Sequence, residues 1–338
     1  MQEPIVPSIA HIIAQSSVRQ QQIMEELHAL QLPEELQHFA EAYEKISWSR
    51  NRFLWHWVWH LTYARNPGFM LSSVPETDRK TVALIKALLV MAVTIVDDVA
   101  DKLHDRDLLD VMLKIPFGNH ALPDHFDGMR YFAINLLNEL LDTAFNLLRK
   151  APCWQANEEI FMYDMKQVWN AFDYADMLHR HPEIINHSEN SVYSAHNMMF
   201  YLFGGVDLAF SPAVERKTEY TSLREIFWYA QQMTRIGNWV TTWERELGEK
   251  DVSSGVLNWG ISQGVLTIDE ILASTEVHAT TCQKINALNI EAGLFESWSN
   301  CRDIVLKIGQ KVQSVGIPDY VAGLDLVMLY HLASKGSK

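Results

Sequence analysis

Glycine and proline are scarce in this sequence, with 15 and 11 copies among 338 residues. Folds made of many short strands and tight turns use more of both, so the shortage favours long helices. The sequence shows no convincing run with the period of a β-strand, no internal repeat and no low-complexity linker. It therefore predicts an all-α bundle of about ten to twelve helices. Residues 1–35 are expected to form a loosely attached N-terminal segment, and 36–338 a single domain.

The chain also lacks a cysteine framework. Its three cysteines, Cys153, Cys282 and Cys301, are odd in number, widely spaced and without a CxxC pair, which excludes a disulfide scaffold and a cysteine-based zinc site. The N-terminus has no basic stretch followed by a long apolar run, so we expect no signal peptide. The longest apolar stretch, 83–96, contains Lys86 and is too short to span a bilayer. We therefore expect a cytoplasmic protein without a membrane span.

Positive charge is scarce as well. The sequence has 28 Lys and Arg against 42 Asp and Glu, a net charge of −14, with no block of consecutive basic residues. This balance argues against nucleic acid or an anionic membrane as the main partner. It does not exclude an anionic small ligand, because bound metal ions can reverse the local sign of charge.

A DDxxD pattern follows the longest apolar stretch. Asp97 and Asp101 lie four residues apart and share a helix face, whereas Asp98 points about a third of a turn away. These like charges repel one another, and they lie at the C-terminal, negative end of a predicted helix that ends near 103. A hard divalent cation would relieve both effects; the alternative is an acidic helix end facing water. We expect Asp98, as a hydrogen-bond partner outside the ligand set, to tolerate replacement best.

A second polar pattern lies on a helix predicted over 223–247. Asn238, Thr242 and Glu246 recur at intervals of four residues, so all three lie on one helical face and each offers an oxygen atom. An amide, a hydroxyl and a carboxylate in a row form a ligand set for a hard cation. The pattern alone is also typical of a solvated helix face, and its weight comes from pairing with DDxxD.

Together the two patterns resemble the motifs of class I terpene synthases of the bacterial type, over most of the chain from about residue 50. The resemblance implies the class I terpenoid synthase fold, in which the motifs face each other across the mouth of a helical bundle. It implies three Mg²⁺ ions held by Asp97, Asp101, Asn238, Thr242 and Glu246. The ions bind the diphosphate of a prenyl substrate. Family members often carry a basic residue just before the glutamate, and here that residue is Arg245.

The sequence departs from the family at the residues that contact diphosphate. Bacterial members usually have an arginine about 46 positions before the asparagine, but that position is Val192 and no arginine occurs in 191–203. His196 and Asn197 are the polar residues nearby. The Arg-Tyr pair of the family's C-terminus is also missing, because Tyr330 is followed by histidine.

Different residues must then bind the diphosphate and surround the hydrocarbon. Arg235 lies on the motif face and is one candidate for the diphosphate. A dry aromatic pocket can stabilise a carbocation without reacting with it. The paired glycines Gly204 and Gly205 indicate a kink or a close backbone approach to a ligand. The candidates for the pocket lining are Trp55, Phe69, Phe200, Phe203, Trp298 and Tyr330.

The resemblance implies a lyase that ionises a linear prenyl diphosphate and cyclises the carbocation, with release of diphosphate. Geranylgeranyl diphosphate (C20, a diterpene cyclase) is the preferred substrate, farnesyl diphosphate (C15, a sesquiterpene synthase) the second, and a substrate already cyclised by another enzyme the third. No DxDD motif is present, so initiation by protonation is not expected. A trans-prenyltransferase, which shares the fold, and a non-catalytic helical protein with solvated acidic faces stay open at this point. Family members are often homodimers.

Overall fold

The computed structural model describes residues 8–49, 54–65, 68–118, 123, 125–273 and 275–336. Within these ranges the chain forms fifteen α-helices and no β-strand, which confirms the all-α prediction. Their number exceeds ten to twelve because several have only five to eight residues. The helices are α1 (Ile9–Ala29), α2 (Glu34–Glu44), α3 (Leu54–Trp59), α4 (Arg79–Asp98), α5 (Arg106–Met112), α6 (Gly128–Leu148), α7 (Trp154–Arg180), α8 (His187–Tyr193), α9 (Phe200–Ala209), α10 (Arg216–Glu249), α11 (Gly255–Ser262), α12 (Ile268–Leu272), α13 (Thr275–Ala287), α14 (Ile290–Gly309) and α15 (Ile317–Ala333).

Helix α4 runs through the middle of the bundle. Every residue from Val82 to Val96 is buried, as expected for a helix that is apolar on all sides. It packs against α2, α3, α6 and α9, so the aspartates at its end are placed by contacts on several sides. None of the described helices is both long and apolar enough to cross a membrane.

A π-helical turn continues α4 from Val99 to Leu103. The amide of His104 donates to the carbonyl of Val99 over 2.9 Å, the i→i+5 bond of this geometry, and His104 then leaves the helix at φ 50°. Such turns are rare and often occur at functional sites. Asp101 lies within this turn.

The N-terminal helix α1 is packed onto the bundle. It contacts α15 along its length, and Ile23 and Leu27 are 0% and 1% exposed. Glu26 forms an ion pair with Arg65, and the hydroxyl of Tyr330 donates to Glu26 over 3.3 Å. These contacts attach α1 more firmly than the sequence suggested, although the division at residue 35 stays a prediction.

The chain between residues 187 and 209, which contains the paired glycines, forms three separate helical segments. A 3₁₀ segment, Ser194–Met198, follows α8, and α9 begins after Met199, which has the left-handed φ of 64°. The kink therefore lies at Met199 and not at the paired glycines. A Cβ on Gly204 would lie 2.3 Å from the ring of Phe227, so this close approach is made to a core side chain.

Candidate active site

A cavity of about 270 Å³ opens into the bundle between α4 and α10. Along α4 and the π-helical turn that follows it, the lining residues run from Val90 to Lys102. Helices α1, α3, α7, α9 and α15 supply the other walls. The cavity is polar at the level of Asp101 and apolar at the level of Val90, so it can hold a ligand with one charged and one hydrocarbon end.

The aspartates of α4 divide between the cavity and the core. Asp97 and Asp101 line the cavity, as the four-residue spacing predicted. Asp98 is 1% exposed and faces away. Its Oδ2 accepts a 2.5 Å hydrogen bond from the hydroxyl of Tyr43, and its other oxygen pairs with Lys102. Asp98 therefore fastens the end of α4 to α2 and does not point at a ligand.

The three motif residues of α10 all line the same cavity, opposite the aspartates. The hydroxyl of Thr242 donates to the backbone carbonyl of Asn238 over 2.8 Å. The Oδ1 of Asn238 accepts a 3.1 Å bond from Arg235. The Oε2 of Glu246 is buried and has no hydrogen-bond partner. The predicted ligand residues thus come together in space, while their role stays a prediction.

A further carboxylate reaches the cavity from the segment after α10. Lys250 ends the helix with φ 60°, and the amide of Asp251 then bonds back to the carbonyl of Glu246 over 2.9 Å. The Oδ1 of Asp251 accepts a 2.7 Å hydrogen bond from the backbone amide of Ser253, and it lies 3.3 Å from Nε2 of His179. Sequence reasoning missed Asp251. Its place five residues after Glu246 was not a sufficient signal, because the left-handed turn at Lys250 interrupts the helical period between them.

Burial and neighbouring acidic side chains raise the pKa of two carboxylates at this end of the cavity. Burial, followed by the charges of Asp97 and Asp251, raises the pKa of Asp101 well above its usual value. Burial and the charge of Asp251 likewise raise the pKa of Glu246. The Oδ1 of Asp101 is buried without a hydrogen-bond partner. Carboxylates that are buried, crowded and unpartnered fit a site that a cation completes.

Such a cation would need oxygen ligands beyond the acidic residues. No three His, Cys, Asp or Glu side chains in the described part of the chain are grouped so as to hold an ion by themselves. Asn238 and Thr242 add neutral oxygens at the same end of the cavity. Mg²⁺ commonly takes only one or two carboxylates and completes its shell with water and phosphate oxygens, so the donor set fits that ion.

Three basic side chains line the polar end of the cavity: Lys102, Arg235 and Arg245. Arg235 is only 7% exposed, and its Nε has no hydrogen-bond partner. Burial lowers its pKa, against the raising effect of the surrounding acids. Arg245 pairs with Glu249 and lies 3.8 Å from Glu246. Arg235 is thus a buried cation with a donor still free to bind an anion.

The segment expected to carry the diphosphate sensor offers no basic group to the cavity. Val192 is 44% exposed. Asn197 lines the cavity and donates to Oδ1 of Asp97 over 3.4 Å. His196, one residue before it, points elsewhere: its Nδ1 lies 3.3 Å from Gln231. Of the two polar candidates, only Asn197 reaches the site.

The apolar end of the cavity is aromatic. Phe69, Phe200 and Phe203 line it as predicted. Sequence reasoning missed four further ring-bearing residues of the cavity lining, Trp57, Phe172, Tyr174 and His331. The sequence signal for Trp57 was the spacing of apolar residues at positions 54, 57, 58 and 61, which places them on one helical face. All four line the cavity.

Three predicted pocket aromatics lie outside the lining. Trp55 falls off the cavity stripe of α3 and packs on Tyr43, with ring centroids 4.8 Å apart. Trp298 belongs to α14, which packs against α10 and contributes nothing to the described lining. The hydroxyl of Tyr330 lies 3.1 Å from Nε2 of His60. The next residue on α15, His331, faces the cavity in its place. Asp98 and His196 are likewise outside the lining.

No protein-family model matches the chain, and no curated protein sequence matches it. Solved structures do. Linalool/nerolidol synthase from Streptomyces clavuligerus, in complex with 2-fluorogeranyl diphosphate, superposes with a TM-score of 0.52 at 12% identity, over 96% of this chain and 98% of that one. 2-Methylisoborneol synthase from Streptomyces coelicolor A3(2) superposes with a TM-score of 0.55 at 12% identity, over 94% of this chain and 90% of that one. The complex of that synthase with Mg²⁺ and 2-fluoroneryl diphosphate superposes with a TM-score of 0.54 at 12% identity, over 99% of this chain and 94% of that one.

The chain has the fold of the class I terpene synthases. The superpositions extend over nearly the whole chain, so the likeness is one of complete architecture. At this level of identity it establishes the fold alone. Activity must be argued from the residues in the cavity.

Proposed function

We propose that this protein is a Mg²⁺-dependent terpene synthase. It would ionise a linear prenyl diphosphate, cyclise the carbocation and release diphosphate, and so act as a carbon–oxygen lyase on phosphates. The observation that carries the proposal is the pair of unpartnered buried carboxylate oxygens, on Asp101 and Glu246. They line a cavity whose other end is aromatic. Two of the matching solved structures support it: one is in complex with 2-fluorogeranyl diphosphate, and the other with Mg²⁺ and 2-fluoroneryl diphosphate.

Five residues would hold the metal ions from two sides of the cavity. Mg²⁺ bound there acts as a Lewis acid on the diphosphate oxygens and stabilises the charge that develops on the leaving group. The chain's own contribution is to fix the oxygen ligands before the substrate arrives. Two hydrogen bonds orient the carboxylates at this end of the cavity: one from Asn197 to Asp97, and one from the backbone amide of Ser253 to Asp251. The five residues are Asp97, Asp101, Asn238, Thr242 and Glu246.

Arg235 would be the main side chain that binds the diphosphate. Its unpartnered Nε and its 3.1 Å bond to Asn238 place a positive group beside the predicted metal ligands. Hydrogen bonds from arginine to phosphate oxygens are charge-assisted and strong. Arg245 and Lys102 lie at the same end, so together they can replace the arginine that is absent at position 192.

The apolar end would hold the hydrocarbon and keep water from the carbocation. The face of an aromatic ring stabilises a nearby cation by roughly 0.5–2 kcal/mol. Trp57, Phe200 and Phe203 line the cavity and offer rings for this purpose. None of them carries a basic lone pair, so they would not quench the cation early.

Purified protein incubated with Mg²⁺ and the C10, C15 and C20 linear prenyl diphosphates tests the proposal. We expect cyclic hydrocarbons or alcohols together with inorganic diphosphate. The sequence-based preference for the C20 substrate, with C15 second, stays a prediction that the same assay decides. Longer prenyl diphosphates formed in a parallel assay with added isopentenyl diphosphate would identify a prenyltransferase. Absence of turnover in both assays would contradict an enzymatic role.

Asp97→Asn is the matching variant for the metal site, and Asp142→Asn is its control because Asp142 is exposed on α6. Calorimetric titration with Mg²⁺ and inorganic diphosphate reports binding without turnover. Loss of binding in the first variant and wild-type binding in the second support the site. Near wild-type binding and activity after Asp97→Asn would overturn it.

A further inference from the structure

We infer that His331 is the catalytic base that takes the proton from the last carbocation, so that the main product is an olefin. The inference rests on the proposed function and adds a residue to it. His331 belongs to α15, lines the cavity and is 5% exposed. It lies where the polar end of the cavity meets the apolar end.

His331 lies at the level of the deepest predicted metal ligand on α10. The helices α10 and α15 pack side by side, and just after α15 the Nζ of Lys335 lies 3.5 Å from Oε1 of Glu244. One turn earlier, the ring of His331 packs against Gly237, which directly precedes Asn238. The other two predicted ligands of α10 lie beyond Asn238, toward the polar end. The imidazole is therefore just inside the predicted metal site, on the side of the hydrocarbon.

The imidazole ring is held on two sides. A Cβ on Gly237 would lie 3.0 Å from Cδ2 and 3.2 Å from Cγ of His331, so α10 carries a glycine where the ring meets its backbone. Glycine weakens the interior of a helix relative to alanine, and here it leaves room for the ring. Trp57 meets the ring edge to face, with centroids 4.9 Å apart and planes at 88°. These two contacts fix the imidazole at the cavity wall.

Among the described residues that line the cavity, His331 has the one imidazole. The lining carboxylates lie at the polar end, where the predicted metal ions would take up their charge. The hydroxyls of Thr94 and Thr234 lie nearer the middle, but each donates to the backbone carbonyl four residues earlier, over 2.8 and 3.0 Å. A neutral imidazole keeps one nitrogen lone pair and accepts a proton readily near neutral pH. His331 is therefore the base best suited to a carbocation on the apolar side.

The proposed step is a proton transfer from carbon to nitrogen. A C–H bond next to the cationic carbon breaks, and its electron pair becomes the second bond of the new carbon–carbon double bond. The proton goes to the unprotonated ring nitrogen of His331, which becomes an imidazolium. The released diphosphate at the adjacent end, or water once the product leaves, then takes the proton and restores the neutral base. The aromatic rings of the lining stabilise the cation but do not accept the proton.

The variants His331→Phe and His331→Gln test this assignment. Phenylalanine keeps a ring and glutamine keeps a polar group, but neither is a base of comparable strength. Ionisation precedes proton loss, so both variants should release diphosphate at close to the wild-type rate. The share of the main wild-type olefin should fall at least about tenfold relative to other olefins and alcohols. Product analysis and a diphosphate-release assay measure the two quantities separately.

The matched control is His56→Phe, because His56 directly precedes Trp57 on α3 and lies outside the described lining of the cavity. It should keep the wild-type product ratio. Circular dichroism shows which variants are folded, and His331→Gln carries the test if the phenylalanine variant is not. Calorimetric titration with Mg²⁺ and inorganic diphosphate should give wild-type binding for all three variants, because the polar end is unchanged.

Several outcomes overturn the assignment and leave the proposed function standing. If wild type forms only alcohols, or if folded His331 variants keep the wild-type product ratio, another group takes the proton. If only the phenylalanine variant changes the ratio, the residue has a packing or polar role. If the variants lose binding of Mg²⁺ with diphosphate and keep the product ratio, His331 binds diphosphate instead. Absence of turnover by wild type on any prenyl diphosphate is the separate result that refutes the proposed function itself.

Discussion

In the metal-free protein, the surroundings of Asp101 disfavour the charged form of its carboxylate. Burial and the neighbouring carboxylates raise its pKa, and its Oδ1 has no partner. We predict that Asp101→Asn raises the free energy of unfolding of the metal-free protein by about 0.5–2 kcal/mol, as expected when a functional charge is traded for stability. The same change should weaken binding of Mg²⁺ with inorganic diphosphate at least about tenfold. Denaturant unfolding without metal and calorimetric titration measure the two effects.

The control for Asp101→Asn is Asp142→Asn, since Asp142 is exposed. Its unfolding free energy should stay within about 0.5 kcal/mol of wild type. A lower stability for Asp101→Asn would mean that the carboxylate has a stabilising partner in the metal-free fold, and would contradict the argument.

Asp98 should behave in the opposite way. It accepts a hydrogen bond from Tyr43 and pairs with Lys102 in a buried position, so Asp98→Asn weakens two contacts. We predict a loss of about 1–3 kcal/mol in unfolding free energy with little change in Mg²⁺ affinity. The structure thus revises the expectation that Asp98 is the most tolerant aspartate: it is dispensable for ligation but not for stability. A large loss of Mg²⁺ affinity in a stable Asp98→Asn protein would refute this assignment.

Which residues share a face could be predicted from the sequence, because helical periodicity is a local property. Asn238, Thr242 and Glu246 reach one cavity for that reason. Asp251 could not be placed, because its position depends on the left-handed turn at Lys250. Tyr330 was misplaced because its direction depends on how α15 is rotated against α1 and α3, which is a long-range packing property.

At the scale of elements, α1 offers a clear test of attachment. Ile23 is 0% exposed and Val18 is 81% exposed on the same helix. Replacing a buried Ile by Ala removes packing and leaves a cavity, so we predict that Ile23→Ala lowers the unfolding free energy by about 2–5 kcal/mol. Val18→Ala should change it by no more than about 0.5 kcal/mol. Equally small effects in chemical denaturation would show that α1 is a loosely attached segment after all.

The long helices could be predicted, and the breaks within them could not. The span predicted at 223–247 lies within α10, Arg216–Glu249, because its apolar positions recur at the helical period. The break at Met199 has no sequence signal, since methionine seldom adopts φ 64° and only tertiary packing makes it do so. That break matters for the site, because Phe200 and Phe203 follow it directly.

At the scale of the molecule, composition predicted the all-α class but not the pairing of buried charges. Lys86 appeared in the sequence as an interruption of an apolar run. In the structure it is an ion-paired group deep in the core, 2.7 Å from an aspartate more than a hundred residues away. Such pairs depend on which helices become neighbours, and a single sequence does not contain that information.

The whole molecule should lose stability as the solution is acidified below neutral pH. Burial lowers the pKa of His56, His60 and His196 below the usual value of 6.5. The unfolded chain therefore binds more protons than the folded one below about pH 6.5. The histidines' contribution to the free energy of unfolding is complete above that pH, and it is lost as the pH falls through their pKa values in the folded state. The raised pKa values of Asp101 and Glu246 act in the opposite direction.

A comparison between variants isolates the histidine contribution. We predict that the melting temperature of the triple variant His56→Gln/His60→Gln/His196→Gln falls less between pH 7.5 and pH 5.5 than that of wild type, although its absolute stability is lower. The control is His11→Gln, because His11 is exposed on α1, and it should follow the wild-type curve. If the triple variant loses as much stability on acidification as wild type, these half-buried histidines do not govern the acid response. Carboxylates such as Asp207 or Asp325 cannot explain the loss instead, because burial raises their pKa values. A carboxylate whose pKa is raised in the folded state stabilises the fold as the pH falls.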